Sequence, residues 1–153
     1  MPDINDPAPD FTLPRDGGGT VTLSELRGSP VVLFFYPKDN TPGCTKESIG
    51  FSSEMPAFEA AGAKVFGISK DSVKKHDNFV EKHSLTTPLL SDAEGTTCED
   101  YGVWKEKKMY GKTFWGIERS TFLIGADGRI KQVWPKVKVD GHVDEVLAAV
   151  RAL

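Results

Sequence analysis

The chain has 153 residues, enough for one domain with a real core, and an ordinary globular composition without any apolar stretch long enough to span a bilayer. A formal net charge of −3 and a pI near 5.6 give no general electrostatic pull toward nucleic acid or an anionic membrane. The acidic, proline-bearing start MPDINDPAPDF carries neither segment of a secretory signal, so a cytoplasmic location is expected. Two cysteines, Cys44 and Cys98, form no CxxC and suggest redox or catalytic thiols rather than a stabilising bridge.

From the N-terminus, Asp3 to Arg15 is punctuated by Pro7, Pro9 and Pro14 and reads as an extended surface segment, with Phe11 and Leu13 alternating inward. Gly17, Gly18 and Gly19 make a hairpin tip between short strands, the second over Thr20 to Leu23. A phosphate loop is disfavoured there, because no buried strand precedes the glycines and no GK[ST] follows. The only GK[ST], Gly111 to Thr113, has Glu106 where a glycine is needed. Ser24 to Gly28 is a connecting turn.

Val31 to Tyr36 (VVLFFY) is the strongest strand in the chain and suits a fully buried central position. Pro37 ends it, since proline cannot donate to a sheet ladder, and Lys38, Asp39 and Asn40 are loop formers. Thr41 followed by Pro42 is a favoured helix opening, which puts Cys44 in the first turn. Unpaired backbone N–H groups and the positive end of the helix dipole favour a thiolate there. A buried, unreactive cysteine is the alternative reading of the same position.

Phe51, Met55 and Phe58 mark the buried stripe of the helix that follows, which Pro56 should kink or interrupt and Gly62 should end. Ala63 to Ser69 is a second buried strand. Asp71 or Ser72 can cap a helix running to about His83, Thr87 to Ser91 is a third strand, and Asp92 to Gly95 turns into a helix holding Cys98 and Tyr101. Lys105 to Lys112 (KEKKMYGK) reads as a solvated basic loop. Arg119 to Ile124 and Ile130 to Val137 flank Asp127-Gly128, a strong hairpin signal, and should pair antiparallel at the sheet edge. Val143, Val146, Leu147 and Val150 stripe a closing helix.

Alternating strands and helices, a late hairpin and a final helix give an α/β chain of the thioredoxin-like fold, one domain over residues 1–153 with a central mixed sheet flanked by helices on both faces. That organisation puts the helix start bearing Cys44 at the carboxyl end of the central strand, where open α/β sheets place ligand sites. In a disulfide exchanger the turn would carry C-x-x-C. Here the first of those positions is Thr41, whose hydroxyl closes no disulfide but can hydrogen-bond an oxygen substrate beside the sulfur.

PKDNTPGCTKE, with Pro37, Thr41 and Cys44 as P-x-x-x-T-x-x-C, resembles the active-site motif of peroxiredoxins, and its flanks resemble the Q-type or bacterioferritin comigratory protein subfamily. The resemblance continues through GISKDSVKKHDNF, PLLSD, MYGK, GIERSTFLI and VKVDGHVDEVL, so it covers nearly the whole chain. It implies that Cys44 is the peroxidatic cysteine, Thr41 the hydroxyl that orients the peroxide, Pro37 a shield for the sulfur and Arg119 the guanidinium. Glu47, one turn beyond Cys44, is placed either to orient that guanidinium or to face solvent. The implied activity is thiol-dependent reduction of hydrogen peroxide and organic hydroperoxides through a Cys44 sulfenic acid, with no metal or organic cofactor.

The usual resolving cysteines of the subfamily are replaced by Ile49 and Val80. The resemblance therefore implies a one-cysteine cycle served by an external thiol such as thioredoxin, glutaredoxin or glutathione, in a chain expected to be a monomer, with a dimer as the alternative. An internal Cys44–Cys98 disulfide is the alternative resolving step. Three other readings compete. A zinc site built from Cys44, Cys98, His76, His83 and His142 lacks usual ligand spacings. A cysteine hydrolase would need a histidine such as His142 beside Cys44. A non-enzymatic module with a Trp104, Trp115 and Trp134 binding face leaves the P-x-x-x-T-x-x-C turn unexplained.

Overall fold

The computed structural model describes residues 1–153. Its first elements are β1 (Thr12–Pro14) and β2 (Thr20–Thr22), an antiparallel pair whose tip is the run Gly17, Gly18 and Gly19, all at positive φ. Leu23–Leu26 is a single 3-10 turn. The central strand β3 (Val31–Phe35) follows and is buried along its whole length. Its side chains alternate between two cores, with Val31, Leu33 and Phe35 on one face and Val32 and Phe34 on the other.

Helix α1 (Pro42–Ser53) starts as expected, with Thr41 at the N-cap and proline at the first helical position. Pro56 interrupts it: α1 stops at Ser53 and α2 (Met55–Ala60) begins anew, with the proline in its first turn, where a missing N–H costs no hydrogen bond. Gly62, at φ 80, turns the chain into β4 (Lys64–Ser69), which pairs parallel with β3. Helix α3 (Val73–His83) is capped by Ser72, whose hydroxyl accepts from the Lys75 N–H at 3.2 Å, and it ends in a left-handed residue, Ser84. Strand β5 (Leu89–Ser91) begins only after Pro88.

The helix holding Cys98 is one turn, α4 (Thr97–Asp100), so Tyr101 falls at its C-cap. Lys105 to Lys112, expected as a solvated loop, instead belongs to a hairpin of β6 (Trp104–Met109) and β7 (Lys112–Ile117). The charged run Lys105 to Lys108 hid the strand pattern. The signal was the Tyr110-Gly111 loop, where both residues have the positive φ that a tight two-residue hairpin connection needs. Strands β8 (Ser120–Ile124) and β9 (Ile130–Trp134) pair antiparallel around Asp127-Gly128, and β9 stops before Pro135. Helix α5 (His142–Arg151) closes the chain.

The main sheet has the order β5-β4-β3-β8-β9, parallel between β5, β4 and β3 and antiparallel from β3 to β9. β9 is therefore an edge strand as expected, while β8 lies inside the sheet. One face is covered by α1, α2, α3 and α5 through Phe51, Met55, Phe58, Phe79, Val146, Leu147 and Val150. The other is covered by the β1–β2 pair, the 3-10 turn, α4 and the root of the β6–β7 arm, through Leu13, Leu23, Cys98, Tyr101, Val103 and Ile117. The fold is thus the expected thioredoxin-like mixed sheet with helices on both faces, unequally shared. No helix is long and apolar enough to cross a membrane.

Candidate active site

Register places the site. In the antiparallel pairing of β3 with β8, Phe35 faces Ser120. Arg119, one residue earlier, therefore lies beyond the carboxyl end of β3, where the turn into α1 also begins. This brings Arg119 to Cys44 across 75 residues of sequence: its Nη2 donates to the Cys44 Sγ at 3.2 Å. Its Nη1 donates to Glu47 Oε1 at 2.7 Å, so one guanidinium spans the thiol and the carboxyl one helical turn further on. Gly43 allows the approach, since a Cβ there would stand 3.1 Å from Nη2.

Cys44 is 1% exposed and Glu47 wholly buried, which decides between the two placements of Glu47 in favour of the guanidinium. Burial pushes the Glu47 carboxyl up to about 7, even though the charge and hydrogen bond of Arg119 act in the opposite direction. Its second oxygen, Oε2, has no hydrogen-bond partner. Burial also opposes the charge on Arg119, but Glu47 and Cys44 outweigh it and hold its pKa above the ordinary value.

Thr41 and Pro37 frame the other side of the turn. Both are half-buried. Thr41 Oγ1 donates to the Lys38 carbonyl at 2.8 Å and makes no cap hydrogen bond. Since a carbonyl only accepts, the hydroxyl proton is committed, and the oxygen keeps lone pairs for a donor outside the turn.

Cys98 lies elsewhere. It is packed in the core beneath the opposite face of the sheet, with Leu13, Tyr101 and Phe122, while Cys44 belongs to the core that contains Phe34 and Phe51. Burial, then the charge of Asp92, push the Cys98 thiol far above its ordinary range, which keeps it in the protonated, unreactive form. The central sheet stands between the two sulfurs, so an internal disulfide needs more than unwinding of the first turn of α1. The arrangement favours the one-cysteine cycle over the internal Cys44–Cys98 disulfide.

The histidines of the rival readings are also accounted for. His142 is bonded to Thr121 Oγ1 at 2.8 Å between the rings of Phe51 and Trp134, and burial, then the charge of Arg119, lower its pKa to about 4. It makes no hydrogen bond to Cys44. His83 packs edge-on against Phe79. His76 is wholly buried and hydrogen-bonded at both ring nitrogens, to Asp39 at 2.6 Å and to the Leu90 carbonyl at 2.9 Å. The metal-type cluster that does form is Asp39, Asp71 and His76.

Two groups near the site escaped the sequence. Lys107, read as part of a solvated loop, points back along the β6–β7 arm so that its Nζ donates to the Ile117 carbonyl. Burial and the positive charge of Arg119 lower its pKa, while Cys44 acts in the opposite sense, which places it in the field of the site. The other is the Asp39–His76 pair, 37 residues apart, for which no local sequence signal exists.

Residues 4–133 match the family model described as the AhpC/TSA family. The chain is 51% identical over 148 residues to Peroxiredoxin Bcp of Xanthomonas campestris, covering 95% of this chain and 92% of that one. It is 48% identical over 149 residues to Peroxiredoxin Bcp of Bacillus subtilis, covering 97% and 95%. Among solved structures it resembles the bacterioferritin comigratory protein of Xanthomonas campestris, studied for alkyl peroxide reduction, with a TM-score of 0.91 at 47% identity over 99% of this chain and 97% of that one. A PrxQ of Xylella fastidiosa superposes with a TM-score of 0.94 at 44% identity over 99% and 97%.

Proposed function

Since the chain belongs to the AhpC/TSA family, within its Bcp and Q-type peroxiredoxins, and is a thiol-dependent peroxidase, we propose that Cys44, Thr41, Arg119 and Pro37 are the residues that carry the reaction. The observation that carries this reading is the double reach of Arg119, 3.2 Å to the Cys44 sulfur and 2.7 Å to Glu47. A fixed cation donating to the sulfur stabilises a thiolate and then the negative charge that develops as the O–O bond breaks.

The Cys44 thiolate attacks the terminal oxygen of the hydroperoxide. The S–O bond forms as the O–O bond breaks, the departing oxygen takes a proton as water or alcohol, and the cysteine is left as a sulfenic acid. The Thr41 oxygen, with its own proton held on the Lys38 carbonyl, accepts a hydrogen bond from the peroxide O–H. Pro37 keeps bulk water from the sulfur. Glu47 holds the guanidinium in the plane it needs for both contacts.

Substrates are hydrogen peroxide and alkyl hydroperoxides, the second supported by the activity studied in the Xanthomonas campestris relative. Reduction uses a thiol from another molecule, because Cys98 is across the sheet. One thiol attacks the sulfenic sulfur to give a mixed disulfide and water, and a second thiol releases Cys44. A dithiol protein of the thioredoxin or glutaredoxin kind, or glutathione, fits this step. The reading is completed by one domain over 1–153, a monomeric chain and a cytoplasmic location, where unbridged cysteines are the rule.

The test is intact mass, without reductant, after one equivalent of hydrogen peroxide, on wild type and Cys98→Ser. Trapped sulfenic acid on Cys44 in both is expected. A loss of two hydrogens in wild type alone would restore Cys98 as the resolver, and no change in either would overturn the assignment of Cys44.

A further inference from the structure

Asp39 stands in the turn that carries Pro37 and Thr41, between two exposed residues, Lys38 and Asn40, yet it is itself buried. A carboxylate turned inward from a surface turn is costly unless it is fully hydrogen-bonded. Here it is. Tyr36 donates its hydroxyl to Oδ1 at 2.6 Å, and His76 Nδ1 faces Oδ2 at 2.6 Å. The other ring nitrogen, Nε2, lies 2.9 Å from the Leu90 carbonyl, which can only accept, so Nε2 carries a proton.

The backbone at the same point is clamped as well. The Asp39 N–H donates to Asp71 Oδ2 at 2.8 Å, and that carboxylate is fixed by the Ser69 hydroxyl at 2.8 Å. The Ser91 hydroxyl donates to the Asp71 carbonyl at 2.6 Å. One peptide group, Lys38–Asp39, therefore has its N–H on Asp71 and its C=O on the Thr41 hydroxyl. Rotating that peptide plane would lose both bonds and redirect the Thr41 oxygen.

The cluster is not arranged for a metal. Nδ1 and Oδ2 at 2.6 Å are closer together than two atoms sharing an ion at about 2.0–2.2 Å each in a tetrahedral site would be. None of Asp39, Asp71, His76 and Tyr36 hydrogen-bonds Cys44 or Arg119. They reach the chemistry through the turn alone.

We propose that Tyr36, Asp39, His76 and Asp71 are positioning residues that lock the Lys38–Asp39 peptide plane and so hold the Thr41 oxygen in the orientation that receives the peroxide. This rests on the assignment of Thr41 above. The energetic logic is that of a near-attack geometry, where a displacement of about 1 Å costs about a hundredfold in rate.

The experiment compares two reactions of the same sulfur: oxidation by hydrogen peroxide, followed in a single turnover by rapid quench and mass, and alkylation by iodoacetamide, which needs no oriented peroxide. Asp39→Ala should slow oxidation by about 10- to 100-fold while alkylation stays within about twofold. Asp39→Asn should rescue oxidation to within about threefold, because its carbonyl accepts from Tyr36 and its amide donates to a neutral His76 Nδ1. Tyr36→Phe, which keeps the ring packing, should slow oxidation about three- to tenfold and serves where Asp39→Ala does not fold. Equal losses in oxidation and alkylation, wild-type oxidation in Asp39→Ala or Tyr36→Phe, or an asparagine variant as slow as alanine would each overturn the proposal. Failure of the wild-type protein to oxidise Cys44 would instead remove the assignment of the site itself.

Discussion

Replacing Arg119 by methionine removes the charge with little change in length, and its consequences can be worked out for both the rate and the stability. In the rate, a preorganised cationic donor on the sulfur and the departing oxygen is lost, which costs about 2.7–4 kcal/mol, or about 100- to 1,000-fold in peroxide consumption. In the stability, the exposed consequence is Glu47. Its carboxyl stands at about 7 in the folded protein against an ordinary 4.5, because burial outweighs the pull of Arg119. That difference corresponds to about 3 kcal/mol. The folded protein keeps a proton that the unfolded chain releases, so this contribution is complete below the unfolded value and is lost as pH rises through about 7.

Without Arg119 both influences that lower the Glu47 pKa vanish, and the carboxyl stays neutral to higher pH. The variant then keeps losing stability above pH 7, by about 1.4 kcal/mol for each further pH unit, where wild type has levelled off. Urea unfolding should find the two proteins within about 1 kcal/mol of each other at pH 5 and separated by about 3 kcal/mol at pH 9. Adding Glu47→Gln should remove the extra slope, since no buried charge remains to be formed. Parallel stability curves from pH 5 to 9, or an unchanged stopped-flow rate with peroxide, would refute the reasoning.

Thr41→Val should lower kcat/KM for peroxide by about 10- to 100-fold, with no comparable change in folding stability, because the hydroxyl bonds only within its own turn; equal rates would remove it from the site. Cys98→Ala should keep turnover with an external thiol within about twofold while losing about 1–2 kcal/mol by denaturant titration, the cost of a small void beneath the far face of the sheet. Gly67→Ala places a Cβ 2.7 Å from the Phe34 ring and 2.8 Å from Leu89 Cδ2, and should destabilise the fold by about 1–3 kcal/mol as a lowered Tm, whereas an unchanged Tm would mean that the ring moves freely.

Much of the architecture was legible because its signals are local. Val31 to Tyr36 is apolar on both faces and became the buried central strand. Thr41-Pro42 opened a helix, Ser72 capped one, and Asp127-Gly128 turned a hairpin, each through chemistry contained within a few residues. Prolines trimmed the expected ends: β5 starts after Pro88 and β9 stops before Pro135. The β6–β7 arm was missed because β6 is a run of charged residues and β7 sets Phe114 and Trp115 side by side and exposed, so neither strand alternates apolar with polar residues.

The sequence by itself determined the local frame of Cys44, at a helix start just beyond the central strand, because a strand end, a proline turn and a helix start are short-range structures. Only the tertiary structure decided what reaches that sulfur from afar. The β3–β8 register carries Arg119 across 75 residues to Cys44, the sheet separates Cys98 from it, and His76 meets Asp39 beneath the turn. Those relations depend on which strands pair and on which face each residue falls, and a linear pattern contains neither until the sheet has formed.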